Sequence, residues 1–272
     1  MGNPFEGLRP EPPQPDRKER EEGELTLEEM RKKLRDPSFL PSYRALSKLL
    51  KELVVHRHNS EWEKWYNLVY DKKNPIFEIW TKEYIHALGS YLAQRTEELG
   101  GTEENPTVIL EVGAGNGRLT HFLQEKMNEI IPGKIIIVAS DSGYRKIPPT
   151  FPVENIPHNE ALAKYKPKIV IFSWMPPRYD CTSNFRAAES VDEYILIGEA
   201  DYGCCGDTWK TWGQRNALSN EEQKRYANQP PPYEADGFAK VYQKDLRDLQ
   251  LSRLNISVEE GSTTTVSFRK KK

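Results

Sequence analysis

Cysteine is scarce, with only Cys181, Cys204 and Cys205 in 272 residues. Three thiols cannot build a disulfide framework, and two of them are adjacent rather than spaced as a metal or redox pair, so all three read as reduced. Histidine is scarce too. The closest pair, His56-x-His58, points to different faces of a helix, and no Cys/His set has ligand spacing, so no metal is expected. Long apolar runs are missing: nothing approaches the roughly 18–20 residues that span a bilayer. Residues 1–24 are charged and proline-rich where a secretory signal would be apolar, and Glu6 stands where a myristoylation signal has Ser or Thr. A soluble, intracellular protein is expected, cytoplasmic with a nuclear location left open, in which the sequon Asn255-Ile256-Ser257 carries no meaning. An excess of one charge is also lacking. With 39 Lys and Arg against 41 Asp and Glu, the chain shows no global footprint for nucleic acid. The terminal run from Arg269 to Lys272 reads as a solvated end.

What is present divides the chain in three. Residues 1–24 mix prolines with dense charge and are expected to be a disordered tail, because ordering them would cost entropy that no burial offsets. Order is expected from Thr26, where Thr26-x-x-Glu29 forms a capping box and Leu25 can staple onto Met30. Over 25–104 the pattern is helical. One helix falls within 42–55 (Leu46, Leu49, Leu50, Leu53). A second starts at Ser60-x-x-Glu63 and carries Trp62, Trp65, Tyr66, Val69 and Tyr70. A third runs past Pro75 with Ile76, Ile79, Trp80, Tyr84 and Leu88 and stops at Gly100-Gly101. Such aromatic stripes serve as core or as the roof of a substrate pocket.

Over 105–272 the texture changes to short β-branched runs alternating with amphipathic stretches. Strands are expected at 107–112, 134–140, 168–173 and 194–199, a helix at 118–130, a capped helix from Ser219 to about Ala227, and late strands at 239–242 and 263–268. The expected fold is α/β: a Rossmann-like, mostly parallel sheet with an antiparallel C-terminal strand, preceded by the helical segment.

The most informative stretch is Glu111-Val-Gly113-Ala-Gly115-Asn-Gly117-Arg118, which joins an apolar strand to an amphipathic helix. Glycines suit a tight turn where a ligand approaches bare backbone, and the helix N-terminus offers free N–H groups. The dinucleotide fingerprint G-x-G-x-x-G would place Gly or Ala at 118, where this chain has Arg. The pattern E-x-G-x-G-x-G instead resembles the first motif of class I S-adenosylmethionine (SAM) dependent methyltransferases. In layout the resemblance covers about 105–268, and it includes the late pair of strands. It implies that Gly113, Gly115 and Gly117 lie against the methionine part of SAM, and that Glu111 places its amino group. It further implies that Asp141, with Ser142 after it, bridges the ribose hydroxyls, although Asp141-Ser142-Gly143 also reads as a plain turn. The polar cluster His158-Asn159-Glu160 stands where the family contacts adenine, with Asn159 as the candidate and a simple helix start as the alternative.

For the reaction, the resemblance points to the end of the strand at 168–173, Ser173-Trp174-Met175-Pro176-Pro177-Arg178-Tyr179. Amine methylators carry Asp/Asn/Ser-Pro-Pro-aromatic there, whereas this chain has Met175 in the polar position and Arg178 before the aromatic residue. Ser173 and Trp174 are candidates for the cofactor, with Ser173 also a candidate for catalysis. Met175, Pro176, Pro177 and Tyr179 are candidates for the substrate. At the end of the strand at 194–199 Glu199 is the candidate base, with Asp201 nearby. Trp209 and Trp212 are read as an aromatic wall for the acceptor or as packing against the N-terminal helices, and Arg186 as a further substrate contact. The expected function is transfer of a methyl group from SAM to a small molecule or protein side chain, nitrogen being slightly favoured. The alternatives are a non-catalytic SAM-binding protein or an NAD(P)-binding oxidoreductase.

Overall fold

The run Thr107-Val-Ile-Leu-Glu-Val112 is β-branched and apolar on both faces, which suits a strand covered on two sides. It forms β1 (Thr107–Val112) near the centre of a seven-stranded sheet in the computed structural model, which describes residues 25–54, 59–69, 75–216, 218–255 and 263–271. The expected tail over 1–24, His56, His58, Tyr70, Lys272 and the Ile256-Ser257 half of the sequon lie outside the described residues, as do the side chains of Ser60 and Trp62.

The other strands are β2 (Ile135–Asp141), β3 (Glu154–Asn155), β4 (Ile169–Ser173), β5 (Glu193–Gly198), β6 (Phe238–Tyr242) and β7 (Thr264–Lys270). Their order is β3-β2-β1-β4-β5-β7-β6; the first five run parallel, β7 is antiparallel to β5, and β6 is antiparallel to β7. Chain order reverses between β1 and β4, and in open α/β sheets ligands bind in the crevice at such a switch point.

Alternation along the strands splits the core into two layers. On one face Ile109, Ile137, Ile171 and Ile195 meet helices α4 (Lys82–Glu98) and α5 (Arg118–Ile130). On the other, Leu110, Val170, Leu196 and Phe268 meet α6 (His158–Tyr165), α7 (Thr182–Ala187) and the side chains of Trp212 and Tyr233. Short helices α8 (Asn220–Arg225), α9 (Pro232–Ala235) and α10 (Lys244–Arg247) lie in the C-terminal connections, α8 opened by the Ser219–Glu222 capping box.

Ahead of the sheet come α1 (Leu27–Leu34), α2 (Tyr43–Val54) and α3 (Asn59–Val69). The Thr26–Glu29 capping box is present, and Leu25 packs on the cluster that contains Met30, Leu46, Leu50 and Trp65. The expected third helix is wrong at its start. Helix α4 begins at Lys82, capped by the Thr81 hydroxyl, which accepts the Tyr84 N–H at 3.2 Å. Residues 75–81 are not helical, and another chain segment takes backbone groups of 77–79. Ile79 N–H donates to Leu251 O at 2.7 Å, Arg253 N–H donates to Phe77 O at 3.2 Å, and Glu78 forms an antiparallel bridge with Ser252. Among the described residues no helix is long and apolar enough to cross a membrane.

Candidate cofactor and active site

A cavity of about 610 Å³ opens at the C-terminal ends of β1, β2 and β4, within the usual range of small-ligand sites. One wall is the glycine loop. All three glycines are left-handed, at φ +64, +57 and +79 for Gly113, Gly115 and Gly117, a conformation costly for residues with a Cβ. A Cβ on Gly113 would lie 2.5 Å from Phe172, whereas one on Gly115 meets nothing nearer than Ile147 at 3.6 Å. The second glycine therefore leaves bare backbone in the cavity wall.

Two carboxylates frame this loop. Asp141 accepts the Gly115 N–H at 2.9 Å through one oxygen and the Gly143 N–H at 2.7 Å through the other, so it fixes the loop while lining the cavity. Glu111 is buried and accepts the Thr120 N–H at 3.0 Å and hydroxyl at 2.5 Å. Burial pushes its carboxyl up to about 7, the Thr120 bonds oppose this, and the charge of Asp141 adds to it. Gly117 caps α5 and does not reach the wall, although its neighbours Asn116 and Arg118 do.

Arg118 explains why the dinucleotide spacing fails. Its guanidinium is buried and donates to the Leu34 and Phe39 carbonyls, clasping the end of α1 and the turn after it over the loop. Burial lowers it to about 10, with Asp36 acting the other way.

The opposite group of wall residues follows β4. Ser173, Trp174, Pro176, Pro177 and Tyr179 line the cavity, as does Ser142 after β2. Trp174 has φ +56, rare for a bulky residue. Its N–H donates to Ile197 O at 2.7 Å and its indole Nε1 to Glu78 Oε2 at 2.9 Å. Met175 is corrected: its side chain is buried, off the cavity, and its carbonyl accepts the Gly206 N–H at 3.2 Å. Asn159 is exposed and off the wall; the residue before it, His158, lines it, half-buried and pushed down by burial.

Several candidates beyond β5 lie elsewhere. The Glu199 carboxylate closes its own loop by accepting the Cys204 N–H at 3.1 Å and is not part of the wall. Asp201 is bound by Lys240, by Tyr242 at 2.6 Å and by Gln214 at 2.7 Å. Trp212 packs on Phe268 and donates to Cys205 O at 2.6 Å, and Trp209 stacks on Tyr226 at 4.9 Å. Both rings serve the C-terminal part of the core, neither as cavity wall nor as packing on the N-terminal helices. Arg186 pairs with Asp236 at 2.7 Å and is likewise distant in role.

Sequence reasoning missed Glu78 and Phe77, both of which line the cavity, whereas Trp80, expected in a stripe that is core or pocket roof, also lines it. Placing Glu78 and Phe77 in a helix concealed them. The available signal was a single carboxylate inside the apolar run Ile76-Phe77-Glu78-Ile79-Trp80. Among the described residues no group of three His, Cys, Asp or Glu side chains is placed to hold a metal ion.

No family model and no curated protein matches the chain. Solved structures similar to it include the CurJ carbon methyltransferase, 12% identical with a TM-score of 0.40, covering 69% of this chain and 54% of that one. The CMeT domain of the citrinin polyketide synthase is 15% identical, with a TM-score of 0.40 and coverage of 92% and 70%. Human N-acetylserotonin methyltransferase in complex with SAM is 10% identical, with a TM-score of 0.32 and coverage of 89% and 67%. This chain thus spans about half the length of the first of these. With TM-scores below 0.5, none of them bears on the roles of individual residues.

Proposed function

We propose that the protein is a SAM-dependent methyltransferase acting on a small molecule or a protein side chain. The observation that carries this reading is the left-handed glycine loop at the switch point with a buried Glu111 in the same cavity. Its partners among the described residues are neutral donors from Thr120, and a nearby Asp141 raises it further, so an incoming ammonium would supply the missing positive charge. The amino group of SAM fits that need.

Under this reading Glu111 holds the amino group, and the backbone around Gly115 faces the methionine part. Asp141 receives the ribose hydroxyls: two N–H bonds leave about two of its roughly four acceptor sites. Ser142 and the 156–158 segment, with His158 in place of Asn159, face the adenine. SAM supplies a methyl group on a good leaving group, so the residues chiefly align the acceptor and exclude water. The strap at 75–80 and the diproline loop at 176–179 enclose the acceptor.

The test is calorimetry with SAM, S-adenosylhomocysteine and NAD. We expect both sulfur compounds to bind and NAD not to; tight NAD binding with no response to SAM overturns the reading. A non-catalytic SAM-binding protein is the second reading, favoured by the removal of Glu199 and the Met175 side chain from the cavity. Labelled SAM incubated with cell extract separates the two, since transferred label excludes the second.

A further inference from the structure

Glu78 is 4% exposed and lines the cavity, yet its partners come from remote parts of the chain. Oε2 accepts from Trp174 at 2.9 Å, and Oε1 accepts from Gln250 Nε2 at 3.1 Å and from the Thr263 hydroxyl at 3.4 Å. All three donors found among the described residues are neutral. A carboxylate has about four acceptor positions, so against the described residues one remains, on the oxygen that takes the Trp174 bond.

A purely structural role explains this poorly. The backbone already ties 77–79 to 251–253 through two hydrogen bonds and the bridge at Ser252, so the strap does not need the carboxyl to stay in place. Burying an ionisable group without a cation is costly, and such groups concentrate at functional sites. Trp174, its donor on Oε2, has a left-handed backbone, and backbone strain likewise gathers at such sites. Around the carboxyl lie aromatic surfaces, with the Phe77 and Trp174 rings 5.6 Å apart.

Resting on the methyltransferase reading, we propose that Glu78 receives the proton of the methyl acceptor, and that the acceptor is a neutral, flat molecule whose attacking oxygen or ring nitrogen carries that proton. The acceptor's lone pair forms the new bond to carbon. The carbon–sulfur bond breaks with its electron pair going to sulfur, and the acceptor's proton passes to the Glu78 carboxylate and on to solvent. A fully substituted nitrogen or a thioether sulfur would give Glu78 no proton to take.

Burial pushes the carboxyl up to about 7 against the pull of its three hydrogen bonds, which matches a base working near neutrality. Among the described residues the titratable and charged groups near it are few. Tyr84 on α4 is held well above the usual phenol range, by burial first and then by Glu78. Arg145 and Arg253 stand over the adjacent Phe77 ring at 5.3 and 4.1 Å. Glu111 and Asp141 occupy the glycine-loop part of the wall.

The test saturates the full chain with S-adenosylhomocysteine and titrates phenol, catechol and pyrazole calorimetrically at pH 6 and pH 8. Binding should be roughly tenfold tighter at pH 8, the ratio of ionised carboxyl about a midpoint near 7. That difference should vanish in Glu78→Gln and partly return in Glu78→Asp. A pH difference that survives in Glu78→Gln overturns the proposal, as does a wild-type chain that holds S-adenosylhomocysteine but none of the three probes. Failure to bind S-adenosylhomocysteine at all overturns the methyltransferase reading instead. If Glu78→Gln does not fold, Trp174→Phe serves: losing a donor should move the midpoint upward, and an unmoved midpoint sinks the idea.

Discussion

The glycine-loop wall and the wall formed by the strap and β4 face the same cavity but are built differently. The first comes mostly from one stretch of chain, 111–143, and works through backbone and two carboxylates. The second joins Glu78, Trp174, Gln250 and Thr263, brought together only by the tertiary fold. Cofactor chemistry is the same for many acceptors and can be served by a local motif. Acceptor recognition differs between enzymes and, on the reading proposed above, falls in this chain to parts that share no spacing.

That contrast is open to attack at several points. The largest effect should come from Gly113→Val, which combines a left-handed backbone with a Cβ placed 2.5 Å from Phe172. We expect about 2–5 kcal/mol of lost stability from strain and overpacking, read from urea unfolding, together with loss of S-adenosylhomocysteine binding. A variant with wild-type stability would mean the loop is looser than its geometry indicates.

Next is pH. Glu78 and Glu111 both sit above the ordinary value of 4.5 when folded, at about 7. The folded chain therefore keeps protons that the unfolded chain has released, and stability falls as pH rises from about 4.5 to 7. Each carboxyl contributes up to about 3 kcal/mol to that decline. Urea midpoints of the ligand-free protein at pH 5 and 7.5 check this. Glu78→Gln and Glu111→Gln should each flatten the profile, and added SAM should flatten only the part due to Glu111. If SAM removes both parts, the two walls do not have separate tasks.

Asp141→Ala should weaken SAM about 10–100-fold, the cost of about 1–3 kcal/mol for charged hydrogen bonds; unchanged affinity refutes its ribose assignment. The smallest effect is expected from Glu199→Gln, whose carboxylate bonds, among the described residues, within its own loop. Methyl transfer within about twofold of wild type is the expected result. A hundredfold loss would return the base to the end of β5.

The same contrast explains what the sequence made legible. Strand β1, helix α5 and both described capping boxes follow from local rules of periodicity and capping, and their ends fall at or near the expected residues. Local reasoning failed where a distant segment competed for the backbone. Residues 76–80 fit a helical stripe, but residues 251–253 offered them partners first. Trp209 and Trp212 misled for a related reason: a glycine-rich strand-end loop looks like a binding loop, and only the packing of Phe268 and Tyr226 shows the rings committed to the core.

The clasp of Arg118 on the Leu34 and Phe39 carbonyls has a kinetic consequence. The guanidinium belongs to the first turn of α5, so the glycine turn cannot open without also releasing the peptide groups that follow α1. Amide deuterium uptake in 27–39 should therefore slow when a ligand occupies the loop, although no ligand atom need touch that helix. The amino-terminal helix would then report occupancy at a distance.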